Sequence, residues 1–303
     1  MDKISIKILD KYDGFTIKEF LKSFYLGRSK IEEIRNSNNV YLNQNKVNID
    51  DKIKKDDILE FHFVEKIDFK PSNIEADVLY EDECILLVNK PSGIIIHPEY
   101  KDEEKDTLVN RVASYYYQHK IFRNIRYVHR IDLETSGIVL FCKDFLSFSL
   151  LNHLMESHLI ERKYLALCQN KFKNKEGVVE APLSKDRHIN NKYRVSSSPS
   201  SQKAYTTYKV IENRNKKCSL VELLLKTGRT HQIRVHMSYL GHPVAGDDVY
   251  SYKTKEKFSF EGQCLHAKKI GFVHPRTQEF LFFDSELPEY FKDYLQKLKN
   301  INN

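Results

Sequence analysis

The class predicted for this chain is α+β, and three observations agree with it. Short apolar runs of strand type, bounded by turn residues, outnumber the segments with helical spacing. A chain of 303 residues is long enough for about two domains and at least one sizeable core. A polar stretch over residues 65–73, which contains Pro71, has the composition of a linker. These observations are consistent with the class but do not determine how the strands are ordered.

The charge balance fits a polyanionic partner. The formal net charge is +7 and the isoelectric point is about 8.9, which agrees with nucleic acid as a partner without demanding it. The sequence contains no apolar run of membrane-spanning length, and its N-terminus is polar rather than a signal peptide. We therefore expect a cytoplasmic protein that does not enter membranes.

Cysteines and histidines show no metal-binding pattern. The five cysteines are scattered, odd in number and never in a Cys-x-x-Cys pair, so buried reduced thiols are predicted rather than disulfides. Two histidine pairs, His231 with His236 and His153 with His158, are spaced five apart. This is not the helical spacing of the common zinc motif. We predict no metal site.

Residues 1–64 are predicted to form a small separate module. A candidate capping box at Ser29–Glu32 and helical spacing predict two helices, and alternation predicts three short strands. The helices are expected at 16–25 and 29–34 and the strands at 40–42, 47–49 and 59–63, with residues 43–46 joining the first two strands.

The order of these elements resembles the small RNA-binding domain first known from a ribosomal small-subunit protein. The resemblance rests on three segments, Gly27–Ile31, Val40–Asn43 and Asp56–Ile58. Two glycines of the pattern are absent, but Asn39 and Asn45 lie near their positions and asparagine tolerates positive φ. The resemblance implies a helix face that binds phosphates, made of Arg28, Lys30 and Arg35. The alternative is a charged face that is only solvated.

Residues 74–303 are predicted to form the second domain. Strands are expected at 85–89, 160–167 and 219–225, and helices at 107–117 and, capped by Asp144, up to about residue 157. The charged residues 99–106 are expected to form a loop. The basic, serine-rich stretch 184–203 is interpreted either as a mobile loop that closes on a phosphate backbone or as a merely flexible one.

The most informative stretch runs from Tyr127 to Phe141. Two apolar runs, one ending near Ile131 and one opening at Gly137, are predicted to be strands on either side of a short connection. A carboxylate that follows an arginine by two residues at a strand end is typical of an acid kept ionised inside a site. The simpler interpretation is that these side chains only cap a turn. The connection carries six polar side chains, those of His129, Arg130, Asp132, Glu134, Thr135 and Ser136.

Residues His129–Gly137 resemble the signature H-R-L-D-x-x-T-S-G of the RluA-type pseudouridine synthases, with Ile131 in place of the usual leucine. The family's tyrosine element, K-x-Y, corresponds to Arg162–Tyr164. Here arginine holds the position two before the tyrosine, and the lysine, Lys163, directly precedes it. The resemblance is nearly continuous from residue 74 to about residue 283. The family's first motif is matched by Lys90–Gly93 with His97–Pro98, its tyrosine element by Arg162–Tyr164, and its third motif by Thr227–His236 with Gly241–Asp247.

The resemblance implies a large mixed, mostly antiparallel β-sheet with a central cleft. It also implies an isomerase that converts uridine in RNA to pseudouridine without a cofactor, after flipping the base out of its stack. An RNA-binding module ahead of the synthase resembles the enzymes of large-subunit ribosomal RNA most, and tRNA stays open as the substrate. We expect a monomer.

The resemblance assigns Asp132 as the essential carboxylate, kept ionised by a close arginine. Arg234 is the candidate for that arginine and Arg229 is the alternative. Tyr164 would stack on the uracil and is a candidate to take a proton from ribose carbon 2. The first motif is chiefly a structural support in the family, so Lys90 is not predicted to be catalytic. Substrate contacts are expected from Arg229 and from three residues of the signature, namely His129, Arg130 and Thr135. Arg130 would fill the space left by the flipped base.

Two other classes of function fit parts of the pattern. A non-catalytic RNA-binding or ribosome-assembly protein would use the same basic surface, but it has no need of an ionised aspartate and a tyrosine together. A hydrolase of a glycosidic bond would use a carboxylate pair such as Asp132 and Glu134 and would release free uracil. Retention of all uracil as its isomer distinguishes the synthase from the hydrolase.

Overall fold

The computed structural model of the chain describes residues 2–98, 106–214, 217–251 and 262–300. The first elements are β1 (Asp2–Lys7), α1 (Ile17–Ser23), α2 (Arg28–Ser37), β2 (Val40–Leu42), β3 (Asn45–Lys46) and β4 (Ile58–Phe63). They are followed by β5 (Val78–Glu81), β6 (Ile85–Lys90), α3 (Leu108–Gln118), β7 (Arg126–Tyr127), β8 (Ser136–Cys142), α4 (Phe145–Glu156), β9 (Glu161–Gln169) and β10 (Glu176–Glu180). The last are β11 (Leu183–Lys185), β12 (Tyr193–Val195), β13 (Tyr205–Arg214), β14 (Cys218–Leu225), α5 (Gln232–Tyr239), β15 (Leu265–Val273), β16 (Phe280–Asp284) and α6 (Glu289–Asn300). The loop expected at 99–106 lies, apart from Asp106, outside the described residues.

The N-terminal module is an antiparallel sheet of order β1-β4-β2-β3 that shares one apolar core with α1 and α2. Helix α1 starts at Thr16, whose hydroxyl accepts from the N–H of Glu19 in a capping box. Helix α2 starts after Gly27 without a side-chain cap. The capping box predicted at Ser29–Glu32 is therefore wrong, because Ser29 already lies inside the first turn.

The β2–β3 hairpin is tighter than predicted. Asn43 and Gln44 both have positive φ, 49° and 70°, which a two-residue type I′ turn requires. The returning strand is therefore already paired at Asn45–Lys46, and the strand predicted at 47–49 is wrong. Asparagine does supply positive φ in the module, at Asn38 and Asn43 rather than at the two positions predicted.

The large sheet of the second domain confirms the predicted α+β class. Among the described residues ten strands take part, in the order β10-β13-β14-β9-β15-β8-β6-β5, with β16 paired to β15 and β7 to β8. The β8–β15 pairing is parallel and the others are antiparallel. Strand β8 is buried along its whole length because it lies well inside the sheet.

Most elements of the second domain agree with the predicted positions to within two residues, and Asp144 caps α4 by accepting from the N–H of Ser147. Two predictions are wrong. The strand before the signature ends at Tyr127 rather than near Ile131. The stretch 184–203 contains the hairpin β11–β12, because Tyr193 and Val195 pack on the apolar cluster around Tyr250.

All five cysteines are buried and free of disulfides, as predicted. Across the described ranges, no helix is both long and apolar enough to cross a membrane.

The N-terminal module packs on α4. Leu146 and Leu150 of this helix belong to the apolar core of the module. The ring of Phe145 lies edge-on to Phe61 and Phe63, with centroid distances of 6.4 and 5.9 Å. One core is therefore shared between the module and the second domain.

The connection 65–73 contains neither helix nor strand, yet it is bonded to the second domain. Glu65 forms an ion pair with Arg126. The carboxylate of Asp68 accepts from the N–H of Ile125 at 2.9 Å. The domain bounds 1–64, 65–73 and 74–303 stay a prediction.

Candidate active site

The connection between β7 and β8 is shaped by its own residues. The N–H of Thr135 donates to the carbonyl of Asp132 at 3.1 Å, and the Thr135 hydroxyl accepts from the amide of Gln263 at 2.9 Å. Gly137 has a φ of 111°, and a Cβ there would collide with the backbone of Ala267 on the parallel strand β15. Only glycine satisfies both conditions. The end of the signature therefore serves to set the turn that presents Asp132.

Lys90, at the end of β6, supports this turn through hydrogen bonds. Its side chain is fully buried, and its ammonium donates at 2.8–2.9 Å to the carbonyls of Pro91, Ile94 and Leu133. Leu133 directly follows Asp132. The hydroxyl of Ser92 donates to the carbonyl of Glu134 at 2.9 Å. These contacts agree with a supporting role for the first motif.

Arg234 lies between two carboxylates. Its Nη1 donates to Oδ2 of Asp132 at 3.2 Å. Its Nε and Nη2 donate to the two oxygens of Asp247 at 2.7 and 3.0 Å. The Asp247 carboxylate is fully buried and also accepts from the N–H groups of Val249 and Tyr250. Burial alone would lower the pKa of Arg234, but the hydrogen bond and charge of Asp247, together with Asp132, raise it. Asp132 therefore faces a permanently charged guanidinium of fixed orientation.

The third motif is folded by its own polar side chains. The carboxamide oxygen of Gln232 accepts from the Thr227 hydroxyl at 2.8 Å and from the N–H of Arg229 at 3.0 Å. The carboxamide nitrogen donates to the carbonyl of Tyr205 at 3.0 Å. His231, in the left-handed region with a φ of 57°, precedes α5. These bonds place Arg234 on the first turn of that helix.

Tyr164 lies on the face of β9 that the predicted alternation turns inward, with Ala166 and Cys168. It is 5% exposed. Burial raises the pKa of the Tyr164 phenol, the charge of Arg162 lowers it and that of Asp132 raises it, with a net rise. The hydroxyl therefore keeps its proton at neutral pH.

These side chains meet in a cavity of about 610 Å³, a size typical of small-molecule sites. All three predicted catalytic residues line it, namely Asp132, Tyr164 and Arg234. It is also lined by four predicted substrate-binding residues, namely His129, Arg130, Thr135 and Arg229.

The three cationic or titratable residues among those four differ in their surroundings. Arg130 is exposed. Arg229 is exposed too, and its Nε donates to the carbonyl of Lys203 at 3.2 Å. His129 is buried, and its Nε2 accepts from the N–H of Leu140 at 3.3 Å. Burial, and then the charge of Arg162, lower the pKa of His129 to about 3, so the imidazole is neutral at pH 7.

Some predicted residues lie elsewhere. Arg28 and Lys30 are in α2 of the module and do not line the cavity. Lys30 pairs with Glu33 at 2.5 Å and lies 5.1 Å from the ring centroid of Phe145. Glu134 does not line the cavity either, and its carboxylate accepts from the Ser92 hydroxyl at 3.0 Å. The Glu134 carboxylate is thus bonded to Ser92, whereas that of Asp132 is bonded to Arg234.

Sequence reasoning gave no role to Asp247, the second partner of Arg234, although it lies within a quoted motif. It also missed a cluster formed by Asp82, Cys84 and His274, whose ligand atoms lie within 4.8 Å of one another. His274 Nδ1 accepts from the N–H of Thr277 at 3.1 Å, so Nε2 carries the proton donated to Asp82 at 2.8 Å. The cluster is a hydrogen-bond network joining two turns, and the expectation of no metal stays a prediction. Neither feature is visible without the fold, because the partners are 13 and 192 residues apart.

Comparison with known families agrees with this geometry. The family described as RNA pseudouridylate synthase matches residues 84–239. The family described as the RluD ribosomal pseudouridine synthase N-terminal domain matches residues 4–59. The first match contains the signature, the tyrosine element and most of the third motif.

Relatives match along nearly the whole chain. An uncharacterized RNA pseudouridine synthase of Bacillus subtilis, YhcT, is 35% identical over 96% of this chain and 95% of its own. The ribosomal large subunit pseudouridine synthase D of Buchnera aphidicola is 32% identical over 95% of both chains. The solved structure of human RNA pseudouridylate synthase domain containing 4 aligns with a TM-score of 0.61 over 73% of this chain and 92% of that one, at 24% identity, which shows a shared fold.

Proposed function

The chain belongs to the RNA pseudouridine synthase family and is thus an isomerase acting on RNA, and we propose that its substrate is a uridine of large-subunit ribosomal RNA. Two observations support this substrate. The N-terminal residues 4–59 match the N-terminal domain of a ribosomal pseudouridine synthase. Relatives from Buchnera aphidicola and Zymomonas mobilis, 32% and 35% identical, are named for the large ribosomal subunit.

The observation that carries the proposed mechanism is the Asp247–Arg234–Asp132 arrangement at the cavity. Pseudouridine formation breaks the bond from the ribose to the uracil nitrogen and rejoins carbon 5 of the uracil to the ribose. Asp132 is the carboxylate that promotes departure of the uracil, as a nucleophile or by electrostatic stabilisation. Arg234 places a fixed positive charge beside it and determines which of its oxygens faces the substrate, since Oδ2 is occupied at 3.2 Å.

Tyr164 stacks on the uracil within this mechanism. Its ring is part of the apolar wall of the cavity, and stacking on aromatic rings is a common way to hold an unpaired base. The raised pKa of its phenol opposes a role as general base. We therefore assign the hydroxyl to hydrogen bonding, and not to removal of the proton from ribose carbon 2.

The depth of the site supports base flipping. Tyr164 is 5% exposed, so a base reaches it only when unstacked from the RNA. Arg130 is exposed at the same cavity. Its planar guanidinium suits stacking between the neighbouring bases in the space that the uracil leaves.

The test is pseudouridine mapping of total RNA from cells with and without the gene, by carbodiimide adduct and primer extension. We expect one or a few stops in large-subunit ribosomal RNA to disappear without the gene. Wild type should restore them and Asp132→Ala should not. If stops disappear in tRNA instead, the substrate is tRNA and the proposed mechanism still applies. No change in either RNA, and no conversion by the purified protein, would leave a non-catalytic binder.

A further inference from the structure

We propose that Arg162 binds a phosphate of the RNA strand next to the flipped uridine. The inference deepens the proposed function and rests on it, because the ligand is the RNA substrate. Arg162 lies in β9, two residues before Tyr164, so the pleat turns both side chains to the same face of the sheet. Both line the cavity that contains Asp132.

The guanidinium of Arg162 is buried without a protein partner. The residue is 7% exposed, and its Nε is buried with no hydrogen-bond partner. Within the described ranges its guanidinium forms neither a hydrogen bond nor an ion pair. Other buried arginines also have single unpartnered nitrogens, as in Arg214 and Arg276, but each guanidinium has a partner: Arg234 pairs with Asp247, Arg276 with Asp144, and Arg214 with Glu212 and the carbonyl of Leu295.

An unpaired buried cation destabilises the free protein. Transfer of a charge out of water is costly unless an opposite charge and hydrogen bonds compensate it. Burial accordingly lowers the pKa of Arg162 below its ordinary value, although the nearby Tyr164 phenol opposes the shift. A full negative charge on a ligand removes this cost, whereas a neutral uracil carbonyl does so only in part.

The position of Arg162 favours a backbone phosphate over the base. It lies near the first residue of β9, beside the end of β14 and the loop that follows it. The guanidinium packs against Gly228, where an added Cβ would lie 2.6 Å from Nη1. Exposed Arg229 and Arg130 line the same cavity. Three guanidinium groups thus line this cavity, and the planar fork of a guanidinium matches a phosphate in geometry.

The test measures the salt dependence of RNA binding. Full-length protein and Arg162→Met, which removes the charge but keeps an unbranched side chain, are titrated with large-subunit ribosomal RNA from cells that lack the gene. Loss of one phosphate contact should make the slope of log Kd against log [KCl] shallower by about 0.7–0.9. Arg214→Met is the matched control, because that guanidinium is equally buried but paired within the protein. Its slope should equal that of wild type.

Thermal unfolding without RNA supplies a second readout. Arg162→Met should keep the wild-type Tm or raise it by roughly 2–4 °C, since it removes an uncompensated charge. Arg214→Met should lower it. An unchanged salt slope for Arg162→Met overturns the proposal, and a Tm lowered as in Arg214→Met would then make the residue purely structural. Arg162→Gln gives the same slope measurement if the methionine variant does not fold.

Pseudouridine formation on the same RNA separates this proposal from the one it rests on. Turnover by wild type with an unchanged slope in Arg162→Met rejects the phosphate contact alone. Absence of turnover by wild type rejects the proposed function, and a shallower slope would then make Arg162 an RNA contact of a non-catalytic binder.

Discussion

At the scale of single residues, the site depends on one arginine shared between two carboxylates. Asp247 takes the Nε and Nη2 of Arg234 in a two-point contact, and only Nη1 is left for Asp132. The side chain of Asp247 has no exposed surface, whereas that of Asp132 is 24% exposed. Asp247 is thus the fixed anchor, and Asp132 is the carboxylate that a substrate can reach.

Asp247→Asn should destabilise the protein. The substitution keeps the shape but removes the charge that pairs with buried Arg234, and breaking such a pair costs about 3–5 kcal/mol. Urea unfolding followed by circular dichroism measures the loss. Exposed Asp248→Asn, one residue on, should change the free energy of unfolding by less than about 0.5 kcal/mol. Equal stabilities of the two variants would contradict the anchoring role.

Asp132→Asn should abolish turnover while RNA binding stays within about twofold of wild type, because binding is set by the basic surface. Tritium release from carbon 5 of labelled uridine measures turnover, and filter binding measures affinity. Weak binding by a folded Asp132→Asn protein would argue against this division of labour.

Stability should fall in acid through His129. Its folded pKa of about 3 is below the ordinary value of 6.5, so between these values the unfolded chain binds a proton that the folded protein does not. Stability therefore rises with pH in this window and is lost as the pH falls, by up to about 1.4 kcal/mol per unit. His129→Gln should reduce the slope of unfolding free energy between about pH 4.5 and 6.5, whereas His119→Gln, at an exposed position, should not.

At the scale of elements, the β2–β3 hairpin forms its tight turn without a glycine. Gln44 has a φ of 70° in the turn, a conformation that costs a residue with a Cβ roughly 1–2 kcal/mol. The hairpin accepts this strain because the type I′ turn matches the twist of its strands.

Gln44→Gly should therefore stabilise the protein by about 0.5–1 kcal/mol, less than the full strain because glycine also gains freedom in the unfolded chain. Asn45→Gly is the matched control, since Asn45 is a strand residue without positive φ. It should destabilise. Midpoints of chemical unfolding compare the two, and the same sign for both would refute the turn assignment.

At the scale of the whole molecule, the module and the second domain share a core through α4. Leu146 is fully buried within the core of the module. The connection between the two parts is fixed at Glu65 and Asp68. These contacts tie the module, with the basic residues of α2, to the domain that contains the cavity.

Leu146→Ala should cost about 2–5 kcal/mol and should make the connection 65–73 more sensitive to protease, because it loosens the packing of the module on α4. Limited proteolysis with mass spectrometry locates the cuts. Leu159→Ala is the control, since that side chain is 58% exposed. Unchanged proteolysis in Leu146→Ala would mean that α4 does not hold the module.

Most of the strands and helices, and the loop that carries Asp132, could be predicted from the sequence pattern, whereas the α+β class was implied by the resemblance of the motifs. These features depend on local periodicity, on caps such as Asp144 and on short-range turn chemistry, which a linear pattern records. The signature also identified the family. The turn at residues 43–44 was misjudged because neither residue is the glycine that usually marks positive φ.

Three features are visible only in the folded chain: which arginine faces Asp132, which carboxylate holds that arginine, and that the Arg162 guanidinium has no partner in the described residues. Arg229 and Arg234 lie in one motif, but only Arg234 is on the first turn of α5. Its guanidinium donates to Asp132, which lies 102 residues earlier in the chain. Pairing and burial are properties of strands brought together from distant parts of the chain, so no local pattern encodes them.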